Sequence, residues 1–564
     1  MESPERPLFS EKAIIYRENL MKILLIENIQ HISVNSRYII STGLLSLATV
    51  LKQKGYDVEI LSFTYLFTQK IIDYSPDQMK KLEIMCDFII NKKPDIVGFT
   101  TMCNSFHSSL LLAELIKERN EKIKIILGGP QASVFPERIL KEFAFIDLIC
   151  YGEGENKIEA IIKGIVNNDL TSAPGIVYRE NNLIIRNEDN GMVRNLDELP
   201  ELDYDLIPYF RELQNISIHS GRGCPYKCVF CSTSNFWQRK YRSKSIESIC
   251  KEIETVKKKL KKDDLFFEFT NDNICVDYNF FTGLCRALKE INIDWMCYVR
   301  LDSLDEDLIK HMSDSGCRMV FIGMETGSPA MQKYAGKNLN LERVDYVIDN
   351  LLKYKIRPII SFMAGFPDET EEDLKLTLNM FYKLLKKGAY RCDLHSVCVL
   401  SGTQLYDDCK DRLVLKDIYS NISDSVNFSA AHSFVRKNKD LFSHLYTIEG
   451  SLTDKYPFLE KFCSFLICGI YRLFPDTIDL LLKAFDDDIL LFYKDFISNS
   501  HRFASFFSGG EHMKDFVEEI HIHNNTIKSL GEYTGKKRVD DFIFDIVYRT
   551  FLQERKAFIE RFIN

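Results

Sequence analysis

The chain has 564 residues, of which 45% are hydrophobic and 27% charged, and its net charge is −8. That length suggests three or four domains with enough apolar material for large cores. The acidic balance argues against a dedicated nucleic-acid binder, whose contact surface would be basic.

Residues 1–20 are polar and irregular, without the apolar run of a signal peptide. Met21 opens a strand-like segment, MKILLIEN, and is a second candidate start. Without a leader, the 16 cysteines are expected to be reduced thiols of a cytoplasmic protein. No apolar run reaches the roughly 18–20 residues of a membrane span. The nearest, FCSFLICGIY at 462–471, is too short. The basic run Lys257–Lys262 reads as the solvated face of a helix.

From 21 to 165, short apolar runs alternate with helical stretches. The runs are KILLIEN (22–28), DVEILSF (57–63), DIVGFTT (95–101), KIILGG (124–129) and DLICYG (147–152). Helices are expected at 42–54 and 106–120, among others. This alternation predicts a doubly wound parallel sheet, which binds ligands at the carboxyl ends of its strands. Residues 166–214 read as a linker with a small hairpin, GIVYRENNLIIRN, and a Pro- and Asp-containing approach, LPELDYDLIPYF.

Alternation resumes at 215, with six expected strands at 215–221, 265–271, 294–300, 318–325, 357–364 and 390–399. Six strand–helix units are too few for a closed eight-stranded barrel, so a partial (β/α)6 barrel is predicted over 215–403. Beyond 403 the pattern turns to long amphipathic stretches such as 476–498 and 538–562, which predict a mainly α-helical domain over 404–564.

The most informative stretch is GRGCPYKCVFCSTSNFW at 221–237, where Cys224, Cys228 and Cys231 stand four and three residues apart. Thiolates are soft ligands suited to zinc, Cu(I) or iron–sulfur clusters. Structural zinc needs four ligands, and the next cysteine, Cys250, lies in an expected helix without a CxxC partner. Zinc, three unligated thiols and a [4Fe–4S] cluster with one open iron are the readings the motif allows. The last suits a short loop following the first barrel strand.

The C-x3-C-x2-C spacing after a strand resembles the signature of the radical S-adenosylmethionine (radical SAM) superfamily. The resemblance implies that Cys224, Cys228 and Cys231 ligate three irons of a [4Fe–4S] cluster. S-adenosylmethionine (SAM) would take the fourth iron and be cleaved reductively to a 5′-deoxyadenosyl radical. Phe230 matches the aromatic position beside adenine. Asp272 or Asn273 in FEFTNDN (267–273) matches a polar position facing SAM, and Arg300 in YVRLD (298–302) is expected to pair its guanidinium fork with the SAM carboxylate. Glu325 in GMETGS (323–328) matches the residue at the ribose or methionyl amine, and Gly365 in MAGFPDET (363–370) the turn beside adenine. LSGT (400–403) stands where many relatives have PGT, with Ser401 in place of the proline.

A doubly wound sheet preceding such a barrel resembles the cobalamin (B12)-binding radical SAM group. The matching segments are 41–60, 95–105, ILGGPQAS (126–133) and CYGEGE (150–155). The implied cobalamin contacts are Thr100, Thr101, Asn104, Gly128, Gly129, Gly152, Glu153 and Gly154. No Asp-x-His-x-x-Gly motif is present, so no cobalt-ligating histidine is expected; His31 and His107 read as packing or hydrogen-bonding residues. The Cys297, Tyr298, Cys317 and Cys398 spacings read as ordinary strand alternation, and His512, His521 and His523 as scattered histidines.

By this resemblance the activity is methylation of an unactivated carbon in a small molecule or peptide. A non-methylating rearrangement, cyclisation or oxidation, or a non-catalytic iron–sulfur protein, are the alternatives. An electron donor such as flavodoxin or ferredoxin is implied, and no nucleic-acid partner.

Overall fold

In a computed structural model, residues 21–27, 38, 40–416, 431–473, 475–483 and 485–499 are described. The amphipathic stretch at 538–562, His31, His512, His521 and His523 lie outside them.

The first sheet contains β1 (Lys22–Ile26), β2 (Asp57–Leu61), β3 (Ile96–Thr100), β4 (Lys124–Gly128) and β5 (Leu148–Cys150) in the order β2-β1-β3-β4-β5. All four pairings among them are parallel. The chain winds outward in both directions from β1, which puts the topological switch between β1 and β3. Side chains alternate between two apolar cores. Ile23, Leu25, Ile96 and Ile126 face one, and Leu24, Ile26, Val97 and Ile125 the other.

The hairpin expected within the linker belongs to this sheet. Its strands, β6 (Ile176–Glu180) and β7 (Leu183–Arg186), add antiparallel to β5. A three-residue β5 would otherwise leave an unpaired edge, and the hairpin covers it. The approach to the barrel is packed rather than tethered. Tyr204, Ile207, Tyr209 and Phe210 are buried in the core that joins the two sheets. Tyr204 donates to Glu252 at 2.8 Å and Tyr209 to Glu27 at 2.6 Å.

The second sheet is the predicted open barrel. β8 (Asn215–Ile218), β11 (Phe266–Phe269), β12 (Asp294–Val299), β13 (Cys317–Glu325), β14 (Arg357–Ala364) and β15 (Arg391–Ser396) run parallel in sequence order. The first expected strand ends at Ile218, earlier than the sequence suggests. Gly221–Arg222 turns away as β9 and pairs antiparallel with β10 (Arg242–Ser243). On β12, Trp295 and Cys297 are buried, whereas Met296 and Tyr298 on the opposite face are partly open.

The C-terminal segments hold both units. Residues 431–449 lie against the first: Arg138 donates to Asn438 at 2.6 Å, Gln131 donates to the Leu441 carbonyl at 2.9 Å, and Phe106 packs on Phe442. Residues 452–499 cover the barrel edge. The Ser464 hydroxyl, in a π-helix at Phe462–Ile467, accepts from Leu394 N at 2.9 Å and donates to Leu394 O at 3.1 Å. Glu460 accepts from Ser396 N at 2.8 Å. The amphipathic stretch over 476–498 forms two helices, Pro475–Lys483 and Ile489–Asn499. Asp486 and Asp487, both at φ 57°, break it between them. Among the described residues no helix is long and apolar enough to cross a membrane.

Candidate active site between the two sheets

The cysteine loop spans 223–241 and is closed at its base by the β9–β10 ribbon. Gly223 sits at φ 86°, and any side chain there would overlap the Lys240 carbonyl. Its N–H donates to Asp272 at 3.1 Å. Cys231 N donates to Cys228 O at 3.1 Å, which folds the last two cysteines into one turn. Further pins run from Val229 N to Ala335 O and from Leu405 N to Val229 O.

The three thiols influence one another electrostatically. Burial, then the nearby Cys231, Asp272 and Cys228 charges, pushes Cys224 up to about 11. Burial also raises Cys228, opposed by the positive charges of Lys337 and Arg300. With Cys224 and Cys228 raised above the ordinary thiol value, binding a soft metal centre would release their protons. Among the described residues no group of three or more His, Cys, Asp or Glu is disposed to hold a single metal ion. Ligands to one zinc lie about 2.3 Å from it and close on one point, whereas ligands to separate irons of a cluster stand farther apart. Three thiols that feel one another's charge are a soft donor set of the kind that holds an iron–sulfur cluster.

Around this loop stand the barrel strand ends. Arg300 reaches to 3.9 Å from Cys228 Sγ and stacks 3.8 Å over the Tyr226 ring. Its Nε and Nη2 donate to Asp302 at 3.1 and 2.8 Å, and Nη2 also donates to the Lys337 carbonyl at 2.8 Å. The fork expected to be open for a carboxylate is thus largely committed to Asp302, leaving Nη1 on the cysteine side. Glu325 ends β13 at φ 65°, where the β13–β14 register shifts. A non-glycine residue in that conformation stores strain of the kind found at functional sites. Its carboxylate accepts from Lys337 Nζ at 2.6 Å, both side chains being buried. Gly323 is required beside them, because a Cβ there would meet the Glu325 carboxylate and the Lys337 amine.

Gly365 (φ 94°) leaves room for Thr453 and donates its N–H to Glu369 at 2.5 Å. Burial pushes Glu369 up to about 7, and its Oε1 has no partner. Phe230 and Tyr334 pack against Phe366 at 6.2 and 6.0 Å, an aromatic wall beside the cysteines.

The facing rim belongs to the first sheet. Thr101 is fully buried. Its hydroxyl donates to Gly128 O at 2.7 Å and accepts from Ala132 N at 3.0 Å, so it ties the β3 and β4 loops together. Gly129, at φ 90°, packs so closely that a Cβ would lie 2.9 Å from Thr101 N. Thr100 is partly buried, Met102 is exposed, and Asn104 has a buried Oδ1 without a partner. Gly152 N donates to Ser133 Oγ at 3.1 Å, and Gly154 rests on Leu47. His107 pairs through Nε2 with Ser108 Oγ at 2.9 Å, in line with a hydrogen-bonding role.

Glu153 is buried and turned to the base of the cysteine loop. Its carboxylate accepts from Arg222 at 2.7 Å, from Arg242 at 2.9 Å and from Val193 N at 2.6 Å. Glu155 accepts from Arg222 at 2.5 Å and from Ser46 at 3.0 Å. The rim of the first sheet is thereby bonded directly to the base of the cysteine loop.

Several residues here were not singled out from sequence: Arg222, Arg242, Lys337, Asp302, Glu155 and Glu27. Their signal is charge inside apolar surroundings. Glu27, the residue after β1, is pushed by burial up to about 7. His444, from the C-terminal segment, also reaches this rim; burial, then the His107 charge, pushes its imidazole down to about 3.

Comparison with known proteins matches these two halves separately. A Radical SAM superfamily model matches residues 218–381, and a B12 binding domain model matches residues 36–162. The chain is a cobalamin-binding radical SAM enzyme. Its cofactors are accordingly a [4Fe–4S] cluster, SAM and cobalamin. An uncharacterized methyltransferase of Pyrococcus horikoshii is 28% identical over 325 residues, 56% of this chain and 70% of that protein. The cytidylyl-2-hydroxyethylphosphonate methyltransferase of Streptomyces wedmorensis is 26% identical over 377 residues, 58% of this chain and 68% of its own length. The anaerobic magnesium-protoporphyrin IX monomethyl ester cyclase of Rubrivivax gelatinosus is 28% identical over 349 residues, 59% of this chain and 60% of that protein.

Among solved structures, the cobalamin-dependent radical SAM enzyme OxsB with aqua-cobalamin bound superposes with TM-score 0.60 at 16% identity. That match covers 97% of this chain and 82% of OxsB. The radical SAM methyltransferase TsrM of Kitasatospora setae gives TM-score 0.56 at 17% identity, over 69% of this chain and 76% of TsrM. These likenesses show that the fold is shared.

Proposed function

We propose that this enzyme methylates an unactivated carbon of a small molecule or peptide, at a site between the two strand-end rims. Cys224, Cys228 and Cys231 would hold the cluster. The observation that carries this reading is the direct bonding of the cysteine-loop base to the rim of the B12-type sheet, through Arg222 and Glu153. In this reading the thiols and the B12-type loops address one space.

When bound, the cluster and SAM supply a hydrogen-abstracting radical and the corrinoid supplies the methyl group, which sp3 carbon otherwise has no polar means to accept. The chain's own residues do the placing. Glu325 and Lys337 offer an acceptor and a donor in one buried pair, suited to the ribose hydroxyls and methionyl amine of SAM. Phe230, with Phe366 and the Gly365 turn, gives adenine a flat apolar wall. Arg300 would meet the SAM carboxylate through Nη1 while Asp302 holds the rest of its fork. Asp272 acts indirectly, by fixing Gly223 in the loop.

For the corrinoid, Thr100, Asn104 and the glycine turns at Gly128–Gly129 and Gly152 form the receiving surface. Thr101, Glu153 and Gly154 shape that surface from behind. A flavodoxin- or ferredoxin-type donor would supply the electrons.

The test is anaerobic reconstitution with iron, sulfide and hydroxocobalamin, followed by SAM and dithionite. The expected products are 5′-deoxyadenosine and S-adenosylhomocysteine. Failure to form 5′-deoxyadenosine with a reduced cluster present overturns the enzymatic assignment of this site. Absence of S-adenosylhomocysteine in a corrinoid-loaded sample overturns methyl transfer.

A further inference from the structure

The contact between the two rims is an ionic network with unusual composition for a domain interface. Glu153 and Glu155 come from the first sheet, Arg222 and Arg242 from the ribbon at the base of the cysteine loop. Their side chains are 1, 6, 10 and 12% exposed. Two negative and two positive charges balance. Arg222 bridges both carboxylates, Nη1 to Glu153 at 2.7 Å and Nη2 to Glu155 at 2.5 Å. Arg242 binds Glu153 with both terminal nitrogens at 2.9 Å. Trp237 underlies both guanidinium groups, 5.7 and 5.5 Å from its ring centre.

Such networks are a poor source of fold stability. Desolvation consumes most of the Coulomb attraction, and apolar replacements of matching volume are often as stable. What a bidentate, fully desolvated pair does supply is geometric definition. Here the geometry has an obvious recipient. Only Gly223 separates Arg222 from Cys224, so their Cα atoms lie at most about 7 Å apart. That residue has no slack, being fixed to Asp272 and packed on the Lys240 carbonyl. On the other side, Glu153 and Glu155 flank Gly154 and follow Gly152, whose N–H is tied to Ser133 in the β4 loop.

We infer that Glu153, Glu155, Arg222 and Arg242 are positioning residues that set the spacing and orientation between the cluster and the corrinoid. The inference rests on the reading of Cys224, Cys228 and Cys231 as cluster ligands. Radical formation and methyl supply occur at two separate cofactors, and one substrate atom must meet both. A misplacement of about 1 Å is enough to cost about 100-fold in rate. The network fixes that distance at the point where the two domains touch, instead of leaving it to the connecting chain.

The experiment uses the full-length enzyme loaded with cluster and cobalamin. The main variant is Glu155→Met/Arg222→Met, which removes one bridging pair and leaves Glu153 balanced by Arg242. Iron, sulfide and corrinoid content are measured first, then single-turnover 5′-deoxyadenosine and S-adenosylhomocysteine formation without substrate. The deciding readout is electron-spin relaxation of the cobalt(II) form of the bound cobalamin, with the cluster oxidised and then reduced. The parent should show faster cobalt relaxation when the cluster is reduced. The double variant should keep both cofactors and both single-cofactor reactions yet lose that enhancement, with Arg222→Lys intermediate. Unchanged enhancement in a double variant that retains both cofactors overturns the inference. If the double variant does not fold, Arg222→Lys decides alone, because lysine keeps the charge but cannot bridge both carboxylates; an unchanged enhancement there has the same force. A parent that holds no cluster sinks the underlying ligand assignment instead, whereas a fully loaded parent without the enhancement overturns the inference, because its two cofactors are then not held close.

Discussion

The two rims of the site solve different binding problems. The barrel rim carries three thiols, a strained glutamate, a buried lysine and an arginine, each with chemistry of its own. The rim of the first sheet carries glycines, backbone amides and small polar groups, and its Glu153 and Glu155 are turned toward the neighbouring domain. A metal cluster and a charged sulfonium compound need particular donor atoms at particular places. A large macrocycle needs shape and close backbone approach. Function is therefore written in side chains on one rim and in the absence of side chains on the other.

This contrast gives four expectations. The largest effect belongs to the barrel rim: Cys228→Ala should abolish the cluster's brown absorbance and 5′-deoxyadenosine formation while corrinoid binding persists. Retention of full iron and sulfide content would refute the ligand assignment. Next, Lys337→Met should strand Glu325 as a buried, unpaired carboxylate, at a cost of about 3–5 kcal/mol in denaturant unfolding. SAM binding, followed by calorimetry, should weaken with it; a silent variant would mean the pair is not buried as described.

On the opposite rim, Gly129→Ala should destabilise the protein by about 1–3 kcal/mol, since it forces a side chain into a left-handed backbone against Thr101. It should reduce corrinoid retention and spare the cluster, the mirror image of Cys228→Ala. Equal loss of both cofactors would erase the distinction between the rims.

The smallest effect concerns pH. Glu27 and Glu369 both have carboxyls raised by burial from 4.5 to about 7, one at each rim. In the folded state they keep protons that the unfolded chain has already released. Their contribution to stability is present below about pH 4.5 and is lost as pH rises through about 7. Glu27→Gln/Glu369→Gln should flatten the parent's decline in melting temperature over that window, by about 1–3 °C. An unaltered slope would mean that neither group is protonated when folded.

The same contrast explains what the sequence revealed. Strand–helix alternation located all six barrel strands and the five parallel strands of the first sheet, because both are buried on two faces and read as apolar runs. The cysteine spacing is local, so it was visible without a fold. Glu153 looked like a ligand contact because it sits in a glycine turn. Its partners, Arg222 and Arg242, are 69 and 89 residues away, and no local pattern joins them. Arg300 was found but its commitment to Asp302 was not, since that depends on the turn after β12. The hairpin β6–β7 was legible as a hairpin. Its attachment to β5 is a matter of which edge needs cover, which only the assembled sheet determines.

The sealing of β15 by Ser464 and Glu460 limits how this enzyme can be diversified. An open barrel exposes the backbone of its last strand, a template for pairing with another chain. In this protein the side chains that satisfy that strand come from a segment about 70 residues downstream. A C-terminal region transplanted from another enzyme would have to bring its own hydroxyl and carboxylate to Leu394 and Ser396. Otherwise the chimera would present a bare strand and aggregate. Substrate range in this architecture is thus open to change at the loops but restricted at the module that closes the sheet.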